Sequence, residues 1–298
     1  MYENVKIGII GGDMRQVALG RRLSDIGFEV AAWGLPSNVD IGNMVRCGDW
    51  RSAVNKSKAV ILPLPASYDG VRVNVPHSNG CELRVLQFME IMTADTLLLG
   101  GKFDLGIKDV ANDNNIPLID YFECEELQVK NAVPTAEGAI EIAMREIPVT
   151  INGCNALVCG YGRIGKVLSS LLKNMGANVC VSARRQDDLA YIKIFGCTPL
   201  KYGSAEFDTA LHNADVVFNT VPAKILNKKV LSELKRCSLI VDLASGKGGT
   251  DFDAAEKQGI KCIHALSLPG KVAPSTAGEI ICDCIFEILL REGVIAKP

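Results

Sequence analysis

The stretch Asn155-Ala-Leu-Val-Cys-Gly-Tyr-Gly-Arg-Ile-Gly165 decides the fold of this 298-residue chain. Its apolar run, residues 156–159, is typical of a short buried strand. The glycines that follow have the spacing G-x-G-x-x-G. Residues 166–174 place apolar side chains at helical spacing, and residues 178–182 read as a second strand. The pattern of strand, glycine turn, helix and strand predicts a dinucleotide-binding unit.

The glycine turn suggests a role for each of its glycines. The first permits a tight turn, the second lets the backbone approach a pyrophosphate, and the third lets the helix pack close to the strand. The amino terminus of the helix would hold the phosphates. The alternative is a unit of this fold that has lost its ligand. The predicted cofactor-binding residues of the turn are Gly160, Tyr161, Gly162, Arg163, Ile164 and Gly165.

The end of the second strand, Ser182-Ala-Arg184-Arg185, indicates which dinucleotide binds. An NAD site usually carries an acidic residue there, whereas the first carboxylate after this strand end is Asp187. Guanidinium groups hold a 2′-phosphate dianion in bidentate fashion. We therefore predict NADP as the cofactor, bound by Ser182, Arg184 and Arg185. The alternative is that both arginines belong to a solvated loop.

Composition excludes several classes of protein. The net charge of −2 provides no basic field for nucleic acid. The eleven cysteines are scattered without zinc-like spacing, so we expect reduced core cysteines, no metal and a cytoplasmic location. No signal peptide is expected at Met1, and Asp283 and Glu287 interrupt the apolar run near the carboxyl terminus, so no membrane span is expected.

The first part of the chain predicts a second parallel sheet. Strands alternate with helices, which is typical of an α/β fold with helices on both faces. The strand at residues 5–10 runs into Gly11-Gly12-Asp13, where the acidic charge would oppose a phosphate, so we assign no second nucleotide. Ligands of such sheets bind at the carboxyl ends of the strands. The candidates there for holding an anionic substrate are Arg15, Ser67 and Lys102.

Strand ends in the second part of the chain extend the cofactor site. Because carboxyl ends of parallel strands share one edge, we expect the nicotinamide half to lie along it. The residues on that edge are Asn219, Thr220, Val221, Pro222, Asp242 and Ser245.

Two helices with related beginnings would connect the two lobes. One is predicted from about residue 136 to 146, with Thr135 as its N-cap and Glu137 in its first turn. The other covers residues 277–291 and would return to the first lobe. We therefore expect a first domain of residues 1–133 plus 277–298, a connecting helix at 134–149, and an inserted nucleotide-binding domain at 150–276. The fold class is α/β, with two Rossmann-like lobes that each contain a parallel sheet.

Four stretches together resemble the family of dipicolinate synthase A subunits. They are Ile9-Ile-Gly-Gly-Asp-Met-Arg-Gln16, Val133-Pro-Thr-Ala-Glu-Gly138, Asp242-Leu-Ala-Ser245 with Gly249-Thr-Asp251, and Leu268-Pro-Gly-Lys-Val-Ala-Pro-Ser-Thr-Ala-Gly278. The resemblance covers nearly the whole chain. It implies NADP-dependent oxidation of the dihydrodipicolinate branch intermediate of lysine synthesis to dipicolinate (pyridine-2,6-dicarboxylate). It also implies a flavoprotein-like partner, the B subunit, in the mother-cell cytoplasm of a sporulating bacterium.

This chemistry assigns further candidate residues. Oxidation of a dihydropyridine removes a hydride and a proton, and the site must hold a dianionic ring near the nicotinamide. Further candidates for holding a carboxylate, beside the three residues at the strand ends of the first lobe, are Asn131, Thr135 and Lys271. A hydroxylated substrate would also lose water, and Lys271 and Glu137 are the candidate catalytic proton donors. A homodimer is a further assembly that the sequence leaves open.

Two other functions remain open. The architecture also resembles the 2-hydroxyacid dehydrogenases, but the loop 242–249 has no Arg, and Ser275 stands where their motif carries His. His264 lies in an apolar strand, where a core role is expected. The second alternative is a non-catalytic NADP-binding partner that stabilises or regulates the B subunit.

Overall fold

The computed structural model describes residues 2, 4–78, 80–234 and 239–296. The chain divides into two compact units, one formed by Met1–Asn131 with Ala273–Pro298 and the other by Ala132–Val272. Each unit contains one six-stranded parallel sheet, with a helix between most successive strands. The predicted α/β fold with two Rossmann-like lobes is therefore confirmed.

The first unit has its strands in the order β3-β2-β1-β4-β5-β6. Ile7, Ile9 and Ile10 are all fully buried, because a parallel sheet with helices on both faces has no solvent side. The strands are β1 Lys6–Ile10, β2 Glu29–Trp33, β3 Val45–Arg46, β4 Ala59–Ile61, β5 Leu97–Gly100 and β6 Leu118–Asp120. The helices between them are α1 Met14–Ile26, α2 Trp50–Val54, α3 Val85–Met89 and α4 Leu105–Asp113, and a 3₁₀ turn, Tyr121–Glu123, follows β6.

The helix that follows, α5, is longer than predicted. It covers Glu125–Glu146 and contains Pro134, so the predicted start near residue 136 is wrong. Acidic residues occupy its first turn, and Lys130 pairs with Glu126 one turn earlier. Packing of Ala132 and Ala136, both buried, continues the helix through the proline. Thr135 is therefore not an N-cap, and Glu137 is not in a first turn.

The second unit repeats the strand order of the first. Its sheet is β12-β11-β10-β7-β8-β9, with every neighbouring pair parallel. The strands are β7 Asn155–Cys159, β8 Asn178–Ala183, β9 Thr198–Lys201, β10 Val216–Asn219, β11 Leu239–Asp242 and β12 Cys262–His264. The helices are α6 Arg163–Asn174, α7 Gln186–Ile194, α8 Ala205–Asn213, α9 Lys228–Leu231, α10 Phe252–Lys257 and α11 Leu268–Val272.

The last helix, α12 (Pro274–Arg291), belongs to the first unit, as the predicted returning helix does. It begins at Pro274, because proline suits the first turn of a helix. A Cβ on Gly278 would lie 2.4 Å from the carbonyl oxygen of Arg15, so glycine allows α12 to pack closely on α1. Within the described ranges, no helix is both long and apolar enough to cross a membrane.

Candidate nucleotide and substrate sites

Two glycines of the turn after β7 are required by packing. Gly160 has a φ of +101°, and a Cβ there would lie 2.4 Å from Oγ1 of Thr220. A Cβ on Gly165 would lie 2.2 Å from the carbonyl oxygen of Gly160. A side chain at Gly165 would push α6 away from the turn, and one at Gly160 would collide with Thr220 after β10. Both glycines therefore have the structural roles that the sequence predicts for the first and third positions.

Gly162 differs, because nothing in the protein requires a glycine there. Its φ is −81°, which any residue adopts, and a Cβ would meet no atom within 4 Å. It is the N-cap of α6, with no side-chain hydrogen bond to the helix and no acidic residue in the first turn. Helix amino termini of this kind offer N–H groups and a positive dipole to phosphates. The turn therefore fits the pyrophosphate of a dinucleotide.

Polar side chains at the end of β10 close the neighbouring edge of the sheet. Thr220 Oγ1 donates to the carbonyl of Cys159 at 2.9 Å, which ties β10 to β7. Asn219 is fully buried, and its Nδ2 donates to the Val221 carbonyl at 3.1 Å. Burial raises the pKa of the Cys159 thiol to about 12, so this cysteine stays protonated. The half-exposed or exposed residues on this edge include Tyr161, Thr220, Val221, Pro222 and Ser245.

Asp242 holds a loop together and has no surface for a ligand. It is fully buried and accepts hydrogen bonds from Asn219 Nδ2, from the N–H groups of Ala244 and Gly249, and from Thr250 Oγ1 at 2.6 Å. The predicted contacts of Asp242 and Asn219 with the cofactor stay predictions, and in this structure both side chains are buried and bonded within the protein. Ser182 is also buried, and its carbonyl accepts from Gly160 N at 3.0 Å. Sequence reasoning missed Thr250, since only folding brings it to Asp242.

The two arginines after β8 have different surroundings. Arg185 Nε donates to Asp187 Oδ1 at 3.0 Å, and its Nη2 bonds the other oxygen of the same carboxylate. This pairing lowers the pKa of Asp187 and raises that of Arg185. Arg184 is exposed, and among the described residues its guanidinium has no partner. Arg184 is thus the guanidinium at this strand end that is free to bind a phosphate.

The turn after β1 is closed where the turn after β7 is open. Asp13 is the N-cap of α1 and accepts from the backbone N–H of Arg15 at 2.9 Å. A Cβ on Gly11 would lie 2.6 Å from both the Asn74 carbonyl and Val75 Cγ1, so the loop after residue 73 covers this turn. Protein atoms therefore occupy the space above Gly11, and the absence of a second nucleotide stays a prediction.

Arg15 is buried against the same carboxylate. Its side chain is 10% exposed, its Nη2 lies 2.8 Å from Asp13 Oδ2, and Nη2 also donates to the Leu64 carbonyl at 2.7 Å. Burial disfavours ionisation of Asp13, but the hydrogen bonds and charge of Arg15 outweigh it, so the pKa of Asp13 is lowered. The pKa of Arg15 is raised, because Asp13 likewise outweighs the burial of its guanidinium.

Ser67 and Lys102 follow the neighbouring strands β4 and β5. The two loops touch, since Ala66 N donates to the Gly101 carbonyl at 2.7 Å. Ser67 Oγ accepts from Gly70 N at 2.9 Å, so its hydroxyl organises its own loop. Lys102 is exposed, with its Nζ 4.8 Å from the centre of the Phe122 ring. The first unit thus brings these two residues to the same sheet edge as Arg15.

The other predicted residues lie on helices. Asn131 is on α5 in the first unit, whereas Thr135 and Glu137 are on α5 in the second, and Lys271 is on the short helix α11. A Cβ on Gly138 would lie 3.2 Å from Leu268, so α5 and α11 pack closely. Glu137 and Lys271 are both exposed, and within the described parts of the chain no ion pair joins them.

Other features that could indicate a site do not. A groove of about 550 Å³ at the amino ends of β7, β8 and β9 is rimmed by Asn155, Asn178 and Asn213, whose amides bond within the protein. His264 is half-buried, and its Nε2 lies 3.1 Å from the Ala244 carbonyl, so the ring has a partner within the protein. No group of three or more His, Cys, Asp or Glu in the described ranges is placed to hold a metal ion.

Comparison with known proteins indicates the class of protein to which the second unit is similar. Residues 132–251 match the family model of the D-isomer specific 2-hydroxyacid dehydrogenase NAD binding domain. The D-lactate dehydrogenase of Salmonella has the same fold, with a TM-score of 0.63 at 14% identity, over 99% of each chain. With its open glycine turn, the second unit is the nicotinamide-nucleotide-binding domain of an oxidoreductase.

The particular family follows from the whole chain. Residues 6–122 match the model of the N-terminal domain of the dipicolinate synthase A subunit. The chain is 33% identical to the dipicolinate synthase A subunit of Bacillus subtilis over 97% of both proteins. It is similar to the crystal structure of the corresponding protein from Bacillus halodurans, with a TM-score of 0.88 and 31% identity over 100% of both chains. The chain belongs to the family of dipicolinate synthase A subunits, which confirms the resemblance seen in the sequence.

Proposed function

We propose that this chain is the NADP-dependent subunit that oxidises a dihydrodipicolinate-type dicarboxylate to dipicolinate, acting with a flavoprotein-like B subunit. The observation that carries the proposal is the open amino terminus of α6 at Gly162, with Arg184 exposed at the end of the next strand. The family membership supplies the substrate and the partner. It also suggests the mother-cell cytoplasm as the location.

NADP is favoured over NAD by the charges at the end of β8. The position that usually bonds a ribose 2′-hydroxyl with a carboxylate is followed here by Arg184, and Asp187 is neutralised by Arg185. A free guanidinium can make two charge-assisted hydrogen bonds to a 2′-phosphate. Arg184 is therefore proposed as the residue that selects NADP, with Arg185 holding the loop.

The proposed reaction requires little acid–base catalysis from the protein. When bound, the nicotinamide cofactor supplies the hydride acceptor. The chain itself must bind the ring acid, orient it and accept one proton as the ring becomes aromatic. Arg15, Ser67 and Lys102 are proposed to bind carboxylate, with Asn131 and Thr135 as further contacts. Glu137 and Lys271 are proposed to transfer protons, since both side chains are exposed.

The test is an assay of NADPH formation with the purified chain, the dihydrodipicolinate precursor and the B subunit. We expect turnover with NADP when both proteins are present. Turnover by this chain alone would give the B subunit only an accessory role. Activity of the B subunit that does not change with NADP would reject the proposal and favour the non-catalytic role. Reduction of NADP by a 2-hydroxyacid but not by the precursor would favour the dehydrogenase alternative.

A further inference from the structure

Most of the highly exposed apolar side chains of the first unit lie in one region. In the described part of this unit, five large apolar side chains are more than half exposed to solvent. One of them, Val45, is on β3 at the edge of the sheet. The other four follow β4 or β5 in the chain, and we call them the apolar surface: Tyr68, Val71, Leu86 and Leu105.

A backbone hydrogen bond places Leu86 beside Val71. The Val71 carbonyl accepts from the N–H of Val85 at 2.9 Å, in a short antiparallel pairing that also joins Val73 N to the Leu83 carbonyl at 2.8 Å. Val73, Leu83 and Val85 are all buried, so one face of this pairing packs into the core. Val71 and Leu86 remain exposed at its end.

Leu105 lies beside the same loop. A Cβ on Gly70 would lie 2.2 Å from Oδ2 of Asp104, the residue before Leu105. Residues 68–71 therefore contact both the start of α4 and the segment that leads into α3. The four exposed side chains come from segments that touch one another, and monomeric proteins rarely leave such apolar clusters uncovered unless they bind something there.

Two arginines belong to the antiparallel pairing. Arg72 and Arg84 are bridge partners, and the hydrogen bonds on either side of them make theirs a non-hydrogen-bonded pair, in which side chains are close. Arg72 donates to the carboxylates of Asp69 and Glu82 at 2.9 and 2.8 Å. Arg84 is exposed, and among the described residues its guanidinium has no acceptor.

The unpaired arginine indicates the chemistry of a partner. Like charges directly opposite each other on neighbouring strands are destabilising. The nearby carboxylates are already engaged, because Asp69 and Glu82 bind Arg72 and Asp104 accepts from Ile107 N at 2.9 Å as the N-cap of α4. A carboxylate from outside the chain would neutralise Arg84. The region therefore suits a protein that presents apolar side chains together with an acidic residue.

We propose that the apolar surface and Arg84 bind the B subunit, through apolar side chains and a carboxylate of that partner. The identity of the partner rests on the proposed function, whereas its chemistry rests on the exposed side chains. The surface adjoins candidate substrate residues, because Tyr68 follows Ser67 and α4 begins with Leu105 three residues after Lys102. A partner bound there would lie next to the site that the proposed function assigns to the dicarboxylate.

The double variant Leu86→Glu, Leu105→Glu tests this surface. Both residues are exposed and lie in the first turn of a helix, where an acidic side chain is favourable, so the fold should persist. Calorimetric titration with the purified B subunit should give a Kd at least about tenfold higher than for the unchanged chain, since apolar contacts are lost and like charges are introduced. The unfolding temperature and the Kd for NADP should not change.

Arg84→Gln separates binding from a structural role. It removes a charge opposite Arg72, so the unfolding temperature should stay the same or rise. The Kd for the B subunit should nevertheless rise about tenfold, because a charge-assisted hydrogen bond is lost. The matched control is Val45→Glu: Val45 is 56% exposed and Leu86 is 58% exposed, but Val45 is on β3, so its replacement should leave that Kd unchanged.

The outcomes separate this surface from the proposed function. If the unchanged chain binds the B subunit and the variants bind it equally well, the surface is overturned and the proposed function stands. If the variants lose binding but the two unchanged proteins together form no NADPH from the precursor, the surface stands and the proposed function falls. No binding of the B subunit by the unchanged chain overturns both the surface and the proposed partnership.

Sedimentation of the chain alone tests a second copy as the occupant. The unchanged chain and the double variant should have the same oligomeric state, because the surface is assigned to the B subunit. A homodimer that the double variant separates into monomers would overturn that assignment.

Discussion

The two units have the same strand order and opposite first turns. In both, the chain leaves the central strand through a glycine turn and enters a helix. In the first unit Asp13 caps that helix, and residues 74 and 75 cover the glycine before it. In the second unit the helix has no side-chain cap, and the space above Gly162 is open. A shared fold therefore does not imply a shared ligand, because the residue at the helix N-cap changes what the turn can bind.

The glycines themselves show the same contrast. Gly12 has a φ of +93° and lies against Gln16 and Pro63, so its backbone and its surroundings both require glycine. Gly162 has an ordinary φ and no neighbours at its Cβ position. The open space above Gly162 is compatible with the close approach of a pyrophosphate that the proposed function requires.

The largest expected effect comes from Gly162→Val. The fold should persist, because nothing in the protein occupies the space, but the side chain would collide with a pyrophosphate. We expect the Kd for NADP to rise at least about a hundredfold, with the far-ultraviolet circular dichroism and the unfolding temperature nearly unchanged. Unchanged NADP affinity would remove the nucleotide site from this turn.

Gly12→Val is the counterpart in the first unit. There the new side chain would meet Gln16 at a positive φ, so we expect loss of folded protein in expression or thermal melts. If Gly12→Val folds normally while Gly162→Val does not, the contrast between the two turns is reversed and the assignment fails.

Substitutions at Arg184 and Arg185 should show which arginine selects the cofactor and which one holds the loop. Arg184→Ala should weaken NADP binding by about ten- to a hundredfold and leave NAD binding unchanged, since only NADP carries the 2′-phosphate. Arg185→Ala should have a smaller effect, because its guanidinium is bound to Asp187. Titrations with both nucleotides measure this. Equal losses for NADP and NAD in the double variant would reject the 2′-phosphate assignment.

The glycine turn after β7 could be predicted from local features of the sequence. Apolar run, glycine spacing and helical periodicity are all contained in residues 155–182, so the β7–α6–β8 unit and the packing roles of Gly160 and Gly165 could be predicted. The closed turn of the first unit could also be predicted in part, because Asp13 follows directly on Gly12. The sequence does not show that Asp13 caps α1 and also forms an ion pair with Arg15.

Other features depend on contacts that the sequence does not display. The proline at 134 reads as a helix start, yet buried alanines on both sides of it let α5 continue through it. Asp242 reads as a ligand-binding carboxylate at a strand end, but its four donors arrive from residues up to 23 positions away.

The smallest expected effect is on stability, and it concerns the closed turn after β1. Asp13→Ala removes the cap of α1 and the partner of Arg15, and we expect a loss of about 1–2 kcal/mol in the free energy of unfolding. Because the pKa of Asp13 is lowered in the folded protein, its contribution should be complete above the ordinary Asp pKa of about 3.9 and decline as the pH falls below that value. Urea unfolding of both proteins between neutral and acidic pH measures the difference.

Asp49→Ala provides the control for that loss. Asp49 caps the short helix α2 through Ser52 N and is exposed, and no arginine in the described ranges forms a hydrogen bond to its carboxylate. Its removal should cost less than removal of Asp13. If the two losses are equal, Asp13 acts only as a helix cap, and its pairing with Arg15 does not help to close the first turn. If the loss from Asp13→Ala instead grows as the pH falls, the lowered pKa is wrong, because a carboxylate favoured by its partner must lose its contribution when it is protonated.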